Sequence, residues 1–295
     1  MRTRLFLTAI GVALSVAASS AQTDIDAFMS RVLERRDDNW KKLQQYILEE
    51  RETLQITGPG GTPIYGSRRE YAWFPRDGRF IKSPLSADGV TIGDVERRKA
   101  EQAWLTREER REAIKVQSST AAPGVFSEAG VREALEPGFV SAAYFLRFKF
   151  DPGQYALAGR ETLEGRAVLR IEYYPTKLFS EGRGRPNREV RKRDEQVQAK
   201  MNKVALVTLW IDPTEHQILK YEFENVGLDF LPGRSLVRID GLNASMEMGQ
   251  PFDGVWLPRS IRIGFDMMLA IGELDGRYAA DFRDYKLADV DSRVR

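Results

Sequence analysis

Val204-Ala205-Leu206-Val207-Thr208-Leu209-Trp210-Ile211-Asp212, the turn Pro213-Thr214-Glu215, and the return Leu219-Lys220-Tyr221-Glu222-Phe223-Glu224 spell an antiparallel hairpin. On the return strand Leu219, Tyr221 and Phe223 take one face and Lys220, Glu222 and Glu224 the other, the period of two expected when one face is solvated. A third strand from Leu236 to Met248 changes phase near Gly241, from Val237 and Ile239 to Leu242, Ala244, Met246 and Met248. Such a change predicts a bulge or sharp bend. A fourth strand sets Val255, Leu257, Ile261, Ile263 and Phe265 on one side, and a closing stretch offers Leu274, Tyr278, Ala280 and Phe282. The expectation is a strongly curved meander with an apolar concave side, in a β-dominated α+β domain of about ten antiparallel strands.

Upstream, Ile25, Phe28, Met29, Val32, Leu33, Trp40, Leu43 and Ile47 recur at helical spacing after a cap at Thr23 or Asp24, which predicts an opening amphipathic helix. Tyr46 to Ile56 and Tyr65 to Phe74 flank Gly58-Pro59-Gly60-Gly61-Thr62-Pro63, a hairpin loop, and Arg79 to Lys82 forms the next short strand. Ile92 to Lys115, rich in Glu, Arg and Ala, reads as a solvated helix. Val131 to Leu135 and Phe139 to Phe148 are apolar helical pieces around Pro137-Gly138. Phe139, Tyr144, Phe145 and Phe148 are expected to form a movable lid on the concave face. Tyr155 to Leu163 and Ala167 to Tyr174 make another hairpin, turning at Glu164-Gly165.

Arg2 and Arg4 precede the apolar run Leu5 to Ala18, and Ser19-Ser20-Ala21 supplies small residues before Gln22. This is the order of a secretory signal peptide over residues 1–21, with one domain over 22–295 and an exported, soluble, periplasmic product. No cysteine follows the run, which closes the lipid-anchored option and removes disulfides and thiol chemistry. With 45 basic and 43 acidic residues the net charge is +2, so no bulk electrostatic partner is indicated.

Residues that carry covalent chemistry are sparse. His216 is the only histidine, no G-x-S-x-G or P-loop occurs, and Gly182-x-Gly184 lacks the helix that a dinucleotide loop needs. No metal, no cofactor and no enzyme activity are expected; a hydrolase using an unmarked carboxylate pair is the third reading. The basic run Arg183, Arg185, Arg188, Arg191, Lys192 and Arg193 reads as a solvated loop, with phosphates of lipid headgroups as its functional alternative. It lacks the interleaved aromatics of a nucleic-acid site. The candidate apolar cavity is the set Leu219, Tyr221, Phe223, Met246, Met248, Ile261, Ile263, Phe265 and Met267, whose thioethers adapt to flexible acyl chains.

Glu70-Tyr71-Ala72-Trp73-Phe74-Pro75-Arg76-Asp77-Gly78, Gly159-Arg160-Glu161-Thr162-Leu163-Glu164-Gly165-Arg166, Leu209-Trp210-Ile211-Asp212-Pro213 and Asp253-Gly254-Val255-Trp256-Leu257-Pro258-Arg259, in this order behind a signal peptide and an amphipathic helix, resemble an uncharacterised exported branch of the LolA/LolB lipoprotein-sorting superfamily, which includes the sensor RseB. The resemblance implies an unclosed half-barrel with a helical lid over a cavity for acyl chains. It implies a soluble carrier or binding protein for a lipid or lipid-modified protein, with peripheral membrane contact. The alternative it implies is an envelope sensor or assembly module that contacts a protein partner.

Overall fold

The computed structural model describes residues 4–76, 79–117, 150–174, 205–226, 237–269 and 272–288. Helix α1 (Arg4–Leu43) leads into β1 (Tyr46–Thr57), and a single 3-10 turn (Pro59–Gly61) joins it to β2 (Pro63–Arg76). Strands β3 (Arg79–Ala87) and β4 (Val90–Thr91) follow, then helix α2 (Asp94–Gln117). The remaining strands are β5 (Tyr155–Leu163), β6 (Arg166–Tyr173), β7 (Ala205–Asp212), β8 (Gln217–Val226), β9 (Val237–Phe252), β10 (Val255–Leu269) and β11 (Gly272–Leu287).

All eleven strands belong to one antiparallel sheet in the order β4-β3-β2-β1-β11-β10-β9-β8-β7-β6-β5. The sheet is curved and does not close, so the molecule is a half-barrel. Two meanders, β1 to β4 and β5 to β11, join at the β1–β11 ladder, which brings Tyr46 opposite Leu287.

The turns follow from local chemistry. Glu164 and Gly165 both have positive φ, 50° and 80°, the conformation that a two-residue hairpin between right-twisted strands requires. Asp212 accepts at one oxygen from the backbone N–H groups of Thr214 and Glu215, at 2.9 and 3.1 Å, and so closes the β7–β8 turn. The phase change expected near Gly241 is a bulge. Gly241 pairs with Asp266 and Ile239 with Met267, so Asp240 is the extra residue. A second irregularity at Arg259 sets Pro258, rather than Leu257, opposite Met248, so the expected single apolar face of β10 shifts phase there.

Cross-strand partners share a face, so the ladders define the concave side. One row runs Ile171, Leu209, Tyr221, Met246, Ile261, Ala280, Glu52. Its neighbour runs Tyr173, Val207, Phe223, Ala244, Ile263, Tyr278, Leu54. Helix α1 packs on the β5 to β10 half of this face, where Met29, Val32 and Leu43 join the same apolar core as Tyr173, Tyr221 and Met246. Asn39 donates to Gln217 at 2.7 Å inside that contact, and Phe28 lies 5.2 Å from the ring of His216. The helix does not begin at Thr23 or Asp24 as expected; it is continuous from Arg4, because no Gly or Pro between Val12 and Leu43 interrupts it.

Helix α2 straddles the edge of β3. Its Glu101 accepts from Ser83 at 2.6 Å on one side of the strand, while Trp104 meets Trp73 edge-on at 5.4 Å on the other. The Trp104 indole also donates to the Phe80 carbonyl at 3.2 Å, covering part of an exposed ladder.

Candidate functional site

The inner face of β1 reads Tyr46, Leu48, Glu50, Glu52, Leu54, Ile56. Strict alternation therefore carries two carboxylates into the interior between apolar residues. Glu50 is 1% exposed and Glu52 4% exposed. Their counter-ion comes from two strands away: Trp73 on β2 is the cross-strand partner of both Leu48 and Lys82 of β3, so Lys82 points to the same side. Its ammonium sits 3.0 Å from Glu50 and donates to Glu52. It also lies 4.0 Å from the centre of the Tyr71 ring, whose π-face adds a further favourable contact to a desolvated cation. The Trp73 indole donates to the same Glu50 oxygen that Lys82 approaches.

Arg69 of β2, the cross-strand partner of Glu52, brings a second cation to the same face and interacts with Glu52, so the two carboxylates face two positive charges in a largely dry setting. Burial is the largest influence on Glu50 and pushes its pKa up to about 7; Lys82 and the Trp73 hydrogen bond pull the other way, and Glu52 pushes further up. Burial works to lower Lys82, but the fields of Glu50 and Glu52 outweigh it and hold its ammonium above the ordinary range. Tyr278 of β11, the partner of Leu54, is raised by burial and by the same two carboxylates, so its phenol stays protonated. The Tyr278 side chain interacts with Glu52, and Glu50 and Glu52 interact with each other, so the carboxylates, the ammonium and the phenol form one connected cluster. A carboxyl that titrates near neutrality beside a fixed ammonium and a fixed phenol can hold a proton or a polar group.

The apolar residues expected to line a cavity fall into two groups. Leu219, Tyr221, Phe223, Met246, Met248 and Ile261 are buried in the core that includes α1. Ile263, Phe265 and Met267 lie further along β10 and are only half-buried. Leu242, Leu54 and Ile56 continue that half-buried surface on β9 and β1. Phe265 covers Gly276, its cross-strand partner: a Cβ there would stand 2.0 Å from the ring. The expected lid residues Phe139, Tyr144, Phe145 and Phe148, and the basic run Arg183, Arg185, Arg188, Arg191, Lys192 and Arg193, lie outside the described residues.

On the convex face an open polar groove of about 600 Å³ is lined by Asn243, Arg262, Asp266, Asp275 and Arg277 among others. Its charges are largely paired within it: Arg277 with Asp275 at 3.1 Å, and Arg262 with Asp281 on its rim. Among the described residues no group of three or more His, Cys, Asp or Glu side chains could hold a metal ion, and no helix is long and apolar enough to cross a membrane.

Reading by side-chain type misses Glu50, Glu52 and Lys82, because each sits in a stretch rich in charge. The signal that finds them is the register. Tyr46, Leu48, Leu54 and Ile56 share one parity, and residues 50 and 52 lie on the same line.

No family model and no curated protein matches the sequence. Among solved structures the chain is similar to a domain from Vibrio parahaemolyticus named for outer membrane lipoprotein sorting, at 12% identity over 89% of this chain and 93% of that one, with a TM-score of 0.34. It is also similar to a DUF1329 family protein from Desulfovibrio piger, at 12% identity over 90% and 92% of the two chains and the same TM-score of 0.34. A Pseudomonas aeruginosa MucA/MucB complex matches at 11% identity over 88% of this chain and 94% of that one, with a TM-score of 0.20.

Proposed function

We propose that this protein is an exported binding or carrier protein that receives an apolar chain, of a lipid or of a lipid-modified partner, on the concave face of its half-barrel. The observation that carries this reading is the unevenness of that face. Where α1 packs, side chains such as Met246 and Ile261 are 0% exposed. Along Leu54, Ile56, Leu242, Ile263, Phe265 and Met267 the apolar row is only half-buried. A half-covered strip of Leu, Ile, Phe and Met binds by shape-tolerant apolar contact, at about 0.8 kcal/mol for each methylene buried.

The test uses an uncharged, environment-sensitive alkyl fluorophore. The double variant Ile263→Gln, Met267→Gln alters half-buried positions at the margin of the core, its fold is checked by circular dichroism, and it is expected to weaken the probe at least about tenfold, the equivalent of two methylenes lost from contact. Unchanged probe binding by a folded variant refutes the site. Lipid extraction of protein purified from its own envelope then identifies the natural occupant.

An envelope module that acts through a protein partner is the second reading, favoured by the polar groove of Arg262, Asp266, Asp275 and Arg277 on the opposite face. Arg277→Glu leaves alkyl-probe binding intact under either reading and disturbs only a protein contact on that groove.

A further inference from the structure

The two ends of the half-barrel are unlike. At one end the strands turn through charge: Arg76 and Arg79 flank the β2–β3 connection, Glu164-Gly165 joins β5 to β6, Asp212 to Glu215 leads into β8, and Asp253-Gly254 joins β9 to β10. At the other end β1 turns into β2 and β3 into β4, and apolar side chains stand in the open. Eight large apolar side chains are exposed among the described residues, and six of them, Ile64, Tyr65, Val90, Val95, Leu157 and Tyr174, lie toward this second end. Turns are ordinarily built from polar residues, glycine and proline, and apolar surface gathered in one place marks contact with a partner or a membrane.

The tips at this end are held in place. A Cβ on Gly58 would stand 2.7 Å from Ile64 Cδ1, so Ile64 lies back on its own turn. One on Gly272, at the start of β11, would stand 2.8 Å from Pro59 Cγ, so the β1–β2 tip rests against β11. The N–H of Arg68 donates to the Asp88 carboxylate and the N–H of Asp88 to the Arg68 carbonyl, both at 2.7 Å, which ties the turn before Val90 to β2. Tyr65 stands opposite Ile56, Ile56 opposite Gly276, and Gly276 opposite Phe265, so the half-buried apolar strip runs out at this same end. Charges beside it are of both signs and paired, Arg68 with Glu70 and Arg277 with Asp275.

We propose that this end of the half-barrel seats on the surface of a lipid bilayer, with Ile64, Tyr65, Val90 and Val95 dipping into the interface and the apolar strip opening towards it. An apolar chain leaves a membrane without crossing water only where the mouth of its site meets that membrane. Tyrosine joins an apolar ring to a hydroxyl, a combination suited to headgroup depth. Paired charges of both signs give no preference for anionic lipid, so a zwitterionic surface suffices and salt has little effect. The inference rests on the apolar-ligand reading above and adds the surface from which the ligand is taken.

The chain has no cysteine, so a single introduced one carries a label at one place. An environment-sensitive dye on Ile64→Cys or on Val90→Cys is expected to brighten and shift to the blue with phosphatidylcholine vesicles, at low and high salt alike. The same dye on Asp253→Cys, at the charged end, should stay as in buffer. Each dye senses its own surroundings, so the apolar run Leu5 to Ala18 does not mimic this result. Adding Val90→Ser and Val95→Ser, at exposed positions off the strip, to the Ile64→Cys protein should raise the lipid needed for half the response at least about tenfold, and leave binding of the alkyl fluorophore unchanged. A response at neither end, or equally at both, overturns the proposal. So does a response that appears on raising the protein concentration without lipid, which makes this end a contact between copies. If the tip dyes respond to vesicles while the alkyl fluorophore fails to bind, the apolar-ligand reading falls and the bilayer contact stands.

Discussion

Gly276 shows how one side chain's absence shapes the concave face. The Phe265 ring lies where a Cβ at position 276 would stand, 2.0 Å from its nearest atom, and the contact is between directly paired residues. Gly276→Ala is therefore expected to destabilise the fold by about 1–3 kcal/mol, because the ring must leave its rotamer or the ladder must shift. Urea titration measures this as a lower midpoint with an unchanged slope. The Phe265 aromatic and the glycine were each visible in the sequence, but their pairing was not, since register between β10 and β11 depends on the turn joining them. Glu50 and Glu52 teach the same lesson more sharply. By residue type they belong in water; by parity with Tyr46, Leu48, Leu54 and Ile56 they belong inside, and parity prevails because a one-residue slip would expose the whole apolar set.

Elements were easier to read than contacts. The hairpins at Gly58 to Pro63, at Glu164-Gly165 and at Asp212 to Glu215 stand where turn chemistry placed them, and the bulge near Gly241 stands where the apolar phase changed. Strand β3 runs to Ala87 and not to Lys82, past Pro84, which argues against a strand. It is tolerated because β4 pairs only with Ser86 and Ala87, so Pro84 has a strand neighbour on one side alone. For α1 the periodicity gave the packed face but not what it covers. Met29 is 1% exposed in that contact, so Met29→Ala is expected to cost about 2–5 kcal/mol through lost burial and the cavity left behind. A lowered melting temperature with retained strand signal in circular dichroism, and faster amide exchange in β5 and β8, is the expected result.

At the scale of the whole molecule the sequence disclosed a curved antiparallel sheet with helices, but not a charged corner inside it, because the corner is assembled from β1, β2, β3 and β11. That corner ties stability to pH. Glu50 has a folded pKa of about 7, above its ordinary value of 4.5, so the folded state binds this proton more tightly than the unfolded chain does. The stability it contributes is fully present below about pH 4.5 and is lost as pH rises towards 7, a change on the order of 3 kcal/mol at most. Glu70 is lowered by its hydrogen bond from Arg51 and acts in the opposite sense, but below the ordinary carboxylate pKa, outside this window. Melting temperatures should therefore fall between pH 5 and pH 8 in the wild type, and this slope should flatten in Glu50→Gln. The seam that builds the corner also has a temporal consequence. Because Tyr46 pairs with Leu287, the first strand to be synthesised cannot complete its second ladder until nearly the whole chain has emerged. Closing so long a loop makes assembly slow, in the range of milliseconds to seconds typical of non-local β topologies. The order in which the strands are born is thus unlike the order in which they are sealed, and a chain stopped short of β11 would be left with two separate meanders and an unfinished middle.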